Sequence, residues 1–340
     1  MKVCGIYTVG EEIASGSQGS VFRAYPNEGD EQFAVKITEF RGTRRIYDRF
    51  LDEMLVTELL QGHANIVHVE ASEVVEDFYG CIVMERAECD LLDYIEGRTL
   101  SEEDIRGLFF QLCNGVAHCH ANGVAHRDLK PENVLMVNGT PRLADFGCAR
   151  DTFVEGDTCF KRSGTVMYAA PEVLQARPEG YNCLSADVWS LGVLLHVLTT
   201  GCWPFRALCD VSVGNLFIEE HLFSEGCLGL LRFMLTLDAD ERPTITQVLS
   251  HPYFRESPMT PAPADVVGRH RSEGETPTAG PRSPRSHTTS EGVMTGRHSY
   301  SRLSAAKNRL LVSFDSYKSA VAALRGEVNS SSQPLRMSGA

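Results

Sequence analysis

The chain has 340 residues, 43% of them hydrophobic, and a formal net charge of −13. That length and apolar content suit a two-lobed domain or two ordinary domains plus a tail. No apolar run reaches the roughly 18–20 residues that cross a bilayer, and Met1 to Ile6 is too short and mixed for a signal peptide, so a soluble protein of the cytoplasm or nucleus with no transmembrane segment is expected. The acidic balance argues against nucleic acid as a partner and for basic peptides, or serves solubility alone.

In chain order, Ile6-Tyr7-Thr8-Val9 reads as a strand. The segment Ile13-Ala14-Ser15-Gly16-Ser17-Gln18-Gly19-Ser20-Val21 follows, and then a second strand, Val21 to Ala24. Gly16 and Gly19 let backbone amides approach an anion with no Cβ in the way, although Gly/Ser-rich turns between strands are common. Gln32 to Ile37 alternates as a third strand and contains Ala34-Val35-Lys36. A lysine ending an apolar strand has to point its ammonium at something negative. Tyr47 to Leu60 carries Phe50, Leu51, Met54, Leu55 and Leu59 at helical spacing. The same helix carries Glu53 and Glu58. Ile82 to Ala87 reads as another strand, and residues 86–254 are mostly helical. Val188 to Leu195 is apolar all round, as a central buried helix is, and the body ends near His251-Pro252-Tyr253-Phe254.

Eleven cysteines all precede residue 230 and none forms a Cys-x-x-Cys pair. That argues against zinc and for reduced thiols that serve as small core residues. Cys148 and Cys159 are the candidates for redox sensitivity. Composition shifts at residue 255 to Ser, Thr, Pro, Gly and Arg, which predicts a largely disordered tail over 255–340. The tail carries 12 Lys/Arg against 7 Asp/Glu, whereas residues 1–254 carry 20 against 38. Leu310, Phe314, Tyr317, Val321 and Leu324 form one apolar stripe with basic flanks near 303–325. This stretch is read as a tail helix that docks on the acidic body, binds a regulatory partner, meets a membrane surface, or does none of these.

Three segments stand out together: His126-Arg127-Asp128-Leu129-Lys130-Pro131-Glu132-Asn133, then Asp145-Phe146-Gly147, then Ser163-Gly164-Thr165-Val166-Met167-Tyr168-Ala169-Ala170-Pro171-Glu172. In this order they resemble the eukaryotic protein kinases, and Lys-Pro-Glu-Asn resembles the serine/threonine branch, most nearly its calmodulin-kinase-like group. The resemblance covers residues 5–254. It implies an α+β bilobal fold: an N-lobe over about 1–85 with a five-stranded antiparallel sheet and one helix, and a mainly helical C-lobe over about 86–254. It also implies transfer of the γ-phosphoryl group of ATP, with Mg2+, to Ser or Thr of protein substrates.

By the same resemblance, Lys36 pairs with the ATP phosphates and with a helix glutamate, while residues 13–21 and Ala34 cover the nucleotide. Glu53 and Glu58 compete as that partner of Lys36, with Glu53 the better placed. Ala14 stands where the family has its first glycine. Glu85 and Ala87 would bond the adenine edge through their backbones, and Asp90 would reach the ribose. Asp128 would accept the substrate hydroxyl proton, Lys130 would neutralise the moving phosphoryl group, and Asn133 and Asp145 would hold the metal. Thr165 would hydrogen-bond Asp128 and Lys130. Glu172 would pair with Arg242, Asp187 would hold the catalytic loop, and His126 would be a packing residue. Glu132 stands where basophilic relatives contact an arginine of the substrate.

Arg127 marks kinases switched by phosphate on the segment after Asp145. Lys161 stands where many relatives carry the acceptor threonine. Thr152, Thr158 and Ser163 remain as acceptors, or Glu155 or Asp157 takes the phosphate's place. The tail adds Ser257, Thr260, Thr276 and Ser283 before prolines, and Ser272 after Arg271, as candidate phosphosites. The alternative to an active enzyme is an ATP-binding pseudokinase scaffold that acts through its tail.

Overall fold

A computed structural model describes residues 2–16, 19–29, 31–175 and 178–255. Ser17, Gln18 and the tail from 256 onward, with its stripe near 303–325 and its candidate phosphosites, lie outside the described residues.

The N-lobe runs β1 (Lys2–Val3), β2 (Tyr7–Gly16), β3 (Gly19–Pro26), β4 (Phe33–Glu39), α1 (Arg44–Leu59), β5 (Val69–Val75) and β6 (Tyr79–Glu85). Its antiparallel sheet has the order β1-β2-β3-β4-β6-β5. Five of these strands match the expected sheet. The sixth, β1, is only two residues long, too short for any periodicity, and is fixed by the burial of Val3. β5 was not placed by pattern, because its Val-Glu-Ala-Ser-Glu run is polar and lies at the sheet edge. α1 begins at Arg44 rather than Tyr47. Its first turn is polar and held by an Arg44 Nε–Asp48 Oδ1 ion pair at 2.8 Å, so apolar spacing does not report it.

The sheet buries both faces. Val3, Tyr7, Ala24, Val35, Cys81 and Val83 pack on one side. Phe40, Tyr47, Phe50, Leu51 and Ile82 pack between the sheet and α1 on the other. At Gly80 an added Cβ would lie 2.4 Å from the Phe50 ring, so only glycine lets α1 approach this closely. That approach carries the Glu53 side of α1 toward β4.

The C-lobe continues with β7 (Cys89–Asp90), α2 (Leu91–Ile95), α3 (Glu102–Ala121), β8 (Val124–Ala125), β9 (Val134–Val137) and β10 (Thr140–Leu143). After these come β11 (Arg150–Asp151), α4 (Thr152–Glu155), β12 (Thr158–Cys159), α5 (Pro171–Gln175), β13 (Tyr181–Asn182) and α6 (Cys183–Thr200). The lobe closes with α7 (Leu208–Val213), α8 (Glu225–Met234) and α9 (Ile245–Leu249). Ser101 and Asp104 form a capping box on α3. Asn182 caps α6, and Gly201 ends it at φ 71°.

α6 is the one described helix long and apolar enough to cross a membrane, and 78% of it is buried inside the lobe, where Trp189, Leu191 and Val193 to Leu195 form the core. It is the central helix that Val188 to Leu195 predicts. α7 has only six residues.

Candidate active site

Lys36 lies in β4, paired with Val21 on one side and Ile82 on the other, and its side chain is buried. Its Nζ donates to Glu53 Oε1 at 2.5 Å and to Asp145 Oδ1 at 3.0 Å. A strand, a helix and the turn after β10 thus meet at one ammonium. Glu58 is exposed, so the pair falls to Glu53. One turn on, the buried Thr57 donates its hydroxyl to the Glu53 carbonyl at 2.7 Å, which satisfies it within the helix.

Two carboxylates share this one cation. Burial pushes Lys36 down, but Glu53 and Asp145 outweigh it and hold the ammonium above its ordinary value. Burial also pushes Asp145 up, and Lys36 outweighs that, so Asp145 sits below the usual carboxylate range. Glu53 is the more enclosed acid; burial raises it despite Lys36.

The loop after β8 carries Asp128. Arg127 adopts φ 65°, a conformation L-residues rarely take. Two bonds from the loop backbone hold it there: the buried Asp187 carboxylate of α6 accepts from His126 N and Arg127 N, each at 2.8 Å. His126 is fully buried and packs on Phe146 with ring centroids 5.0 Å apart. Asp128 Oδ1 accepts from Thr165 N at 2.8 Å and Thr165 Oγ1 at 2.9 Å. Asp128 Oδ2 accepts from Asn133 Nδ2 at 3.2 Å, with Lys130 Nζ 3.7 Å away. Lys130 Nζ also donates to Thr165 Oγ1 at 3.0 Å. Gly164, at φ 83°, lets its segment dock here, since an added Cβ would meet the Arg127 carbonyl at 2.3 Å.

Asn133 and Asp145 are tied together through the backbone, where Ala144 N donates to Asn133 O at 2.9 Å. The Asn133 amide nitrogen is committed to Asp128 O at 2.8 Å and to Asp128 Oδ2, which leaves its oxygen as the atom for a cation. Among the described residues no group of three His, Cys, Asp or Glu could hold a metal by itself. One carboxylate and one amide oxygen are what Mg2+ needs when phosphates and waters complete its shell.

At the turn between β2 and β3, Ala14 pairs with Val21, Ser15 with Ser20 and Gly16 with Gly19. Ser17 and Gln18 at the turn are outside the described residues. Ile13 is half exposed and Ala34 buried. Space over Gly16 is open, its nearest neighbour to an added Cβ being Gly19 O at 4.0 Å. Met84 packs against the cluster under α1. Glu85 continues into Ala87 at the lobe junction, and its side chain is bridged to Arg142 at 3.2 Å. Asp90 Oδ1 caps α2 by accepting from Asp93 N at 2.8 Å.

Arg127 turns away from Asp128. Its Nη1 donates to Cys148 O at 3.4 Å, and its Nη2 to Lys161 O at 3.0 Å and to the Tyr181 hydroxyl at 3.1 Å. Neither acid weighed as a phosphate substitute is there: Glu155 pairs with Arg150 at 3.1 Å, and Asp157 accepts from Asn182 at 3.0 Å. Cys159 is buried, and its thiol is pushed down to about 7 by a hydrogen bond from the Cys183 thiol, with burial opposing and Arg127 and Arg150 assisting. Motif reading missed Arg49, which donates from Nε and Nη2 to Gly147 O at 3.2 and 3.1 Å. It stands four residues before Glu53, on the same helix face, and that spacing is the signal that could have found it.

The chain matches the protein kinase domain family over residues 7–254. It is 34% identical to human testis-specific serine/threonine-protein kinase 3 over 262 residues, which is 73% of this chain and 96% of that protein. It is 30% identical to Xenopus laevis serine/threonine-protein kinase stk11, over 79% of this chain and 67% of that protein. With mouse NUAK family SNF1-like kinase 1 it shares 32% identity over 72% of this chain but only 38% of that protein. By family match, by identity and by the residues gathered between its lobes, the chain belongs to the eukaryotic serine/threonine protein kinases.

Proposed function

We propose that this kinase transfers the γ-phosphoryl group of ATP to Ser or Thr hydroxyls of proteins, with Asp128 as the base. The observation that carries this is the convergence of Lys36, Asp128, Asn133 and Asp145 from three separate segments, β4, the loop 126–133 and the turn after β10, each held by hydrogen bonds. Asp128 Oδ1 takes both Thr165 bonds, whereas Oδ2 accepts only the longer Asn133 bond and has a lone pair left for the acceptor hydroxyl. The hydroxyl proton passes to Asp128, the acceptor oxygen bonds the γ-phosphorus, and the bond to the bridging oxygen breaks to release ADP. Lys130, fixed beside Asp128 by Thr165, places a positive charge against the group in flight. Lys36, steered by Glu53, orients the α- and β-phosphates. Asn133 and Asp145 would hold Mg2+, which when bound neutralises phosphate charge. The backbones of Glu85 and Ala87 at the lobe junction would take the adenine edge, and Asp90 the ribose.

The substrate reading is a basic context around the acceptor. Glu132 is exposed on the substrate side. A groove of about 890 Å³ beside α5 and α7 carries the exposed carboxylates of Asp157, Glu179, Asp238, Asp240 and Glu241, and no Lys or Arg among its described lining residues. A peptide array that favours acidic or proline-directed acceptors would end this part. The basic tail remains a proposed partner for the acidic body or for a regulator, and deletion of 300–340 with no change in activity or melting temperature would remove it.

The reading as a whole is tested with labelled ATP, Mg2+ and mixed protein acceptors. The wild type labels protein, whereas Asp128→Asn and Lys36→Met do not. ATP binding measured by calorimetry, with no turnover in the wild type, would leave the scaffold instead.

A further inference from the structure

The segment after Asp145 is gripped at one place by two arginines from different lobes. Arg49 of α1 reaches down to Gly147 O through Nε and Nη2, and its Nη2 lies 3.6 Å from Cys148 Sγ. Arg127 of the catalytic loop reaches Cys148 O, then continues to Lys161 O and the Tyr181 hydroxyl, which itself donates to Lys161 O at 2.9 Å. The two guanidiniums therefore bracket residues 147–148, and Arg127 also fastens the far end of the segment beside β12 and β13. All of these acceptors are neutral. The third nitrogen of Arg127, Nε, is buried without a partner, out of reach of a side chain arriving from solvent. Lys161 contributes its carbonyl to the Arg127 cluster, and its own side chain is a cation rather than a phosphate acceptor.

Phosphorylation orders such a segment by bringing a dianion to an arginine that lacks counter-groups. Here both outer nitrogens of Arg127 already have acceptors, and the first residues after Asp145 are also held from the opposite lobe. We propose that Arg49 and Arg127 are positioning residues that hold residues 147–161 through neutral acceptors, so that Asp145 is correctly placed with no phosphate on that segment. This rests on the kinase reading above and names its regulation. Arg49 acts through Gly147 on Asp145, whose left-handed backbone (φ 59°, ψ 69°) needs such external restraint.

The test uses the full chain after phosphatase treatment, with intact mass verifying that residues 148–165 carry no phosphate. Two quantities are read: turnover on a protein acceptor, and amide hydrogen exchange of peptides spanning 147–161. The treated wild type should turn over within about two-fold of the untreated protein. Arg49→Ala should speed exchange of 147–161 by about ten-fold or more with little change in melting temperature, because its side chain is exposed and its hydrogen bonds go to Gly147 and Cys148. Arg49→Lys, a point donor in place of a fork, should fall between the two.

Loss of most activity on phosphatase treatment, regained on rephosphorylation, would overturn the proposal. So would exchange unchanged in Arg49→Ala. If instead the untreated wild type labels no more protein than Asp128→Asn, the kinase reading fails, and the exchange result still judges the bracket by itself.

Discussion

Lys36 sits between two carboxylates and can neutralise only one of them fully. The consequence falls on Glu53, which is buried and pushed above the ordinary glutamate value of 4.5, while the wetter Asp145 is pushed down. The folded chain therefore keeps the Glu53 proton to higher pH than the unfolded chain, and ionising it costs stability as pH rises through that interval. Removing one partner of a buried pair usually costs about 3–5 kcal/mol by orphaning the other. Glu53→Gln should escape most of that cost, because Lys36 keeps Asp145 at 3.0 Å. We expect its melting temperature to rise relative to wild type as pH goes from acidic to neutral, while turnover falls at least about ten-fold, ~1.4 kcal/mol of transition-state stabilisation. Melting curves at both pH values check this; a relative fall toward neutral pH would contradict it. Residues such as Lys36, Asp128, Asn133 and Asp145 were legible in sequence because each stands in a motif whose order is informative. Tyr181 was not, because Lys161 lies 20 residues away and is joined to it only by packing; Arg49 offers only its four-residue spacing from Glu53, since its partner Gly147 lies 98 residues on.

At the scale of elements, strong apolar periodicity located α6, most of α1 and the inner strands. Elements held by polar contacts escaped it: the first turn of α1, the edge strand β5 and the two-residue β1. The joint between α5 and the loop before α9 was legible from one acid and one arginine. Arg242 Nη1 and Nη2 bind Glu172 at 2.6 and 3.1 Å, and Arg242 also donates to the carbonyls of Thr236 and Ser185, each at 3.0 Å. Its guanidinium carbon lies 5.0 Å from the Trp189 ring centroid. Arg242→Ala strands a buried carboxylate and two carbonyls, and should cost about 3–5 kcal/mol of stability. Chemical denaturation reads this directly, and a loss under about 1 kcal/mol would show the pair to be dispensable. α5 follows the Thr165 segment, so this joint also holds the platform that fixes Asp128.

For the whole molecule, two side-chain contacts tie the lobes together at the site: the Lys36–Asp145 pair and the Arg49–Gly147 bond. The bilobal plan was legible from motif order, and the number of N-lobe strands was right but for β1. The bracket on residues 147–148 was not legible, since Arg49 and Gly147 lie 98 residues apart and meet only through tertiary packing. The central claim is that these convergent side chains transfer phosphoryl groups. The most direct measurement is the rate of γ-phosphoryl transfer from Mg·ATP to a serine or threonine acceptor by the full chain, beside ATP binding by calorimetry, in wild type and Asp128→Asn. The account predicts transfer by the wild type, loss of about 10²–10⁴-fold in Asp128→Asn, and ATP affinity unchanged between the two. Equal transfer by both proteins, or binding without transfer by the wild type, would contradict it.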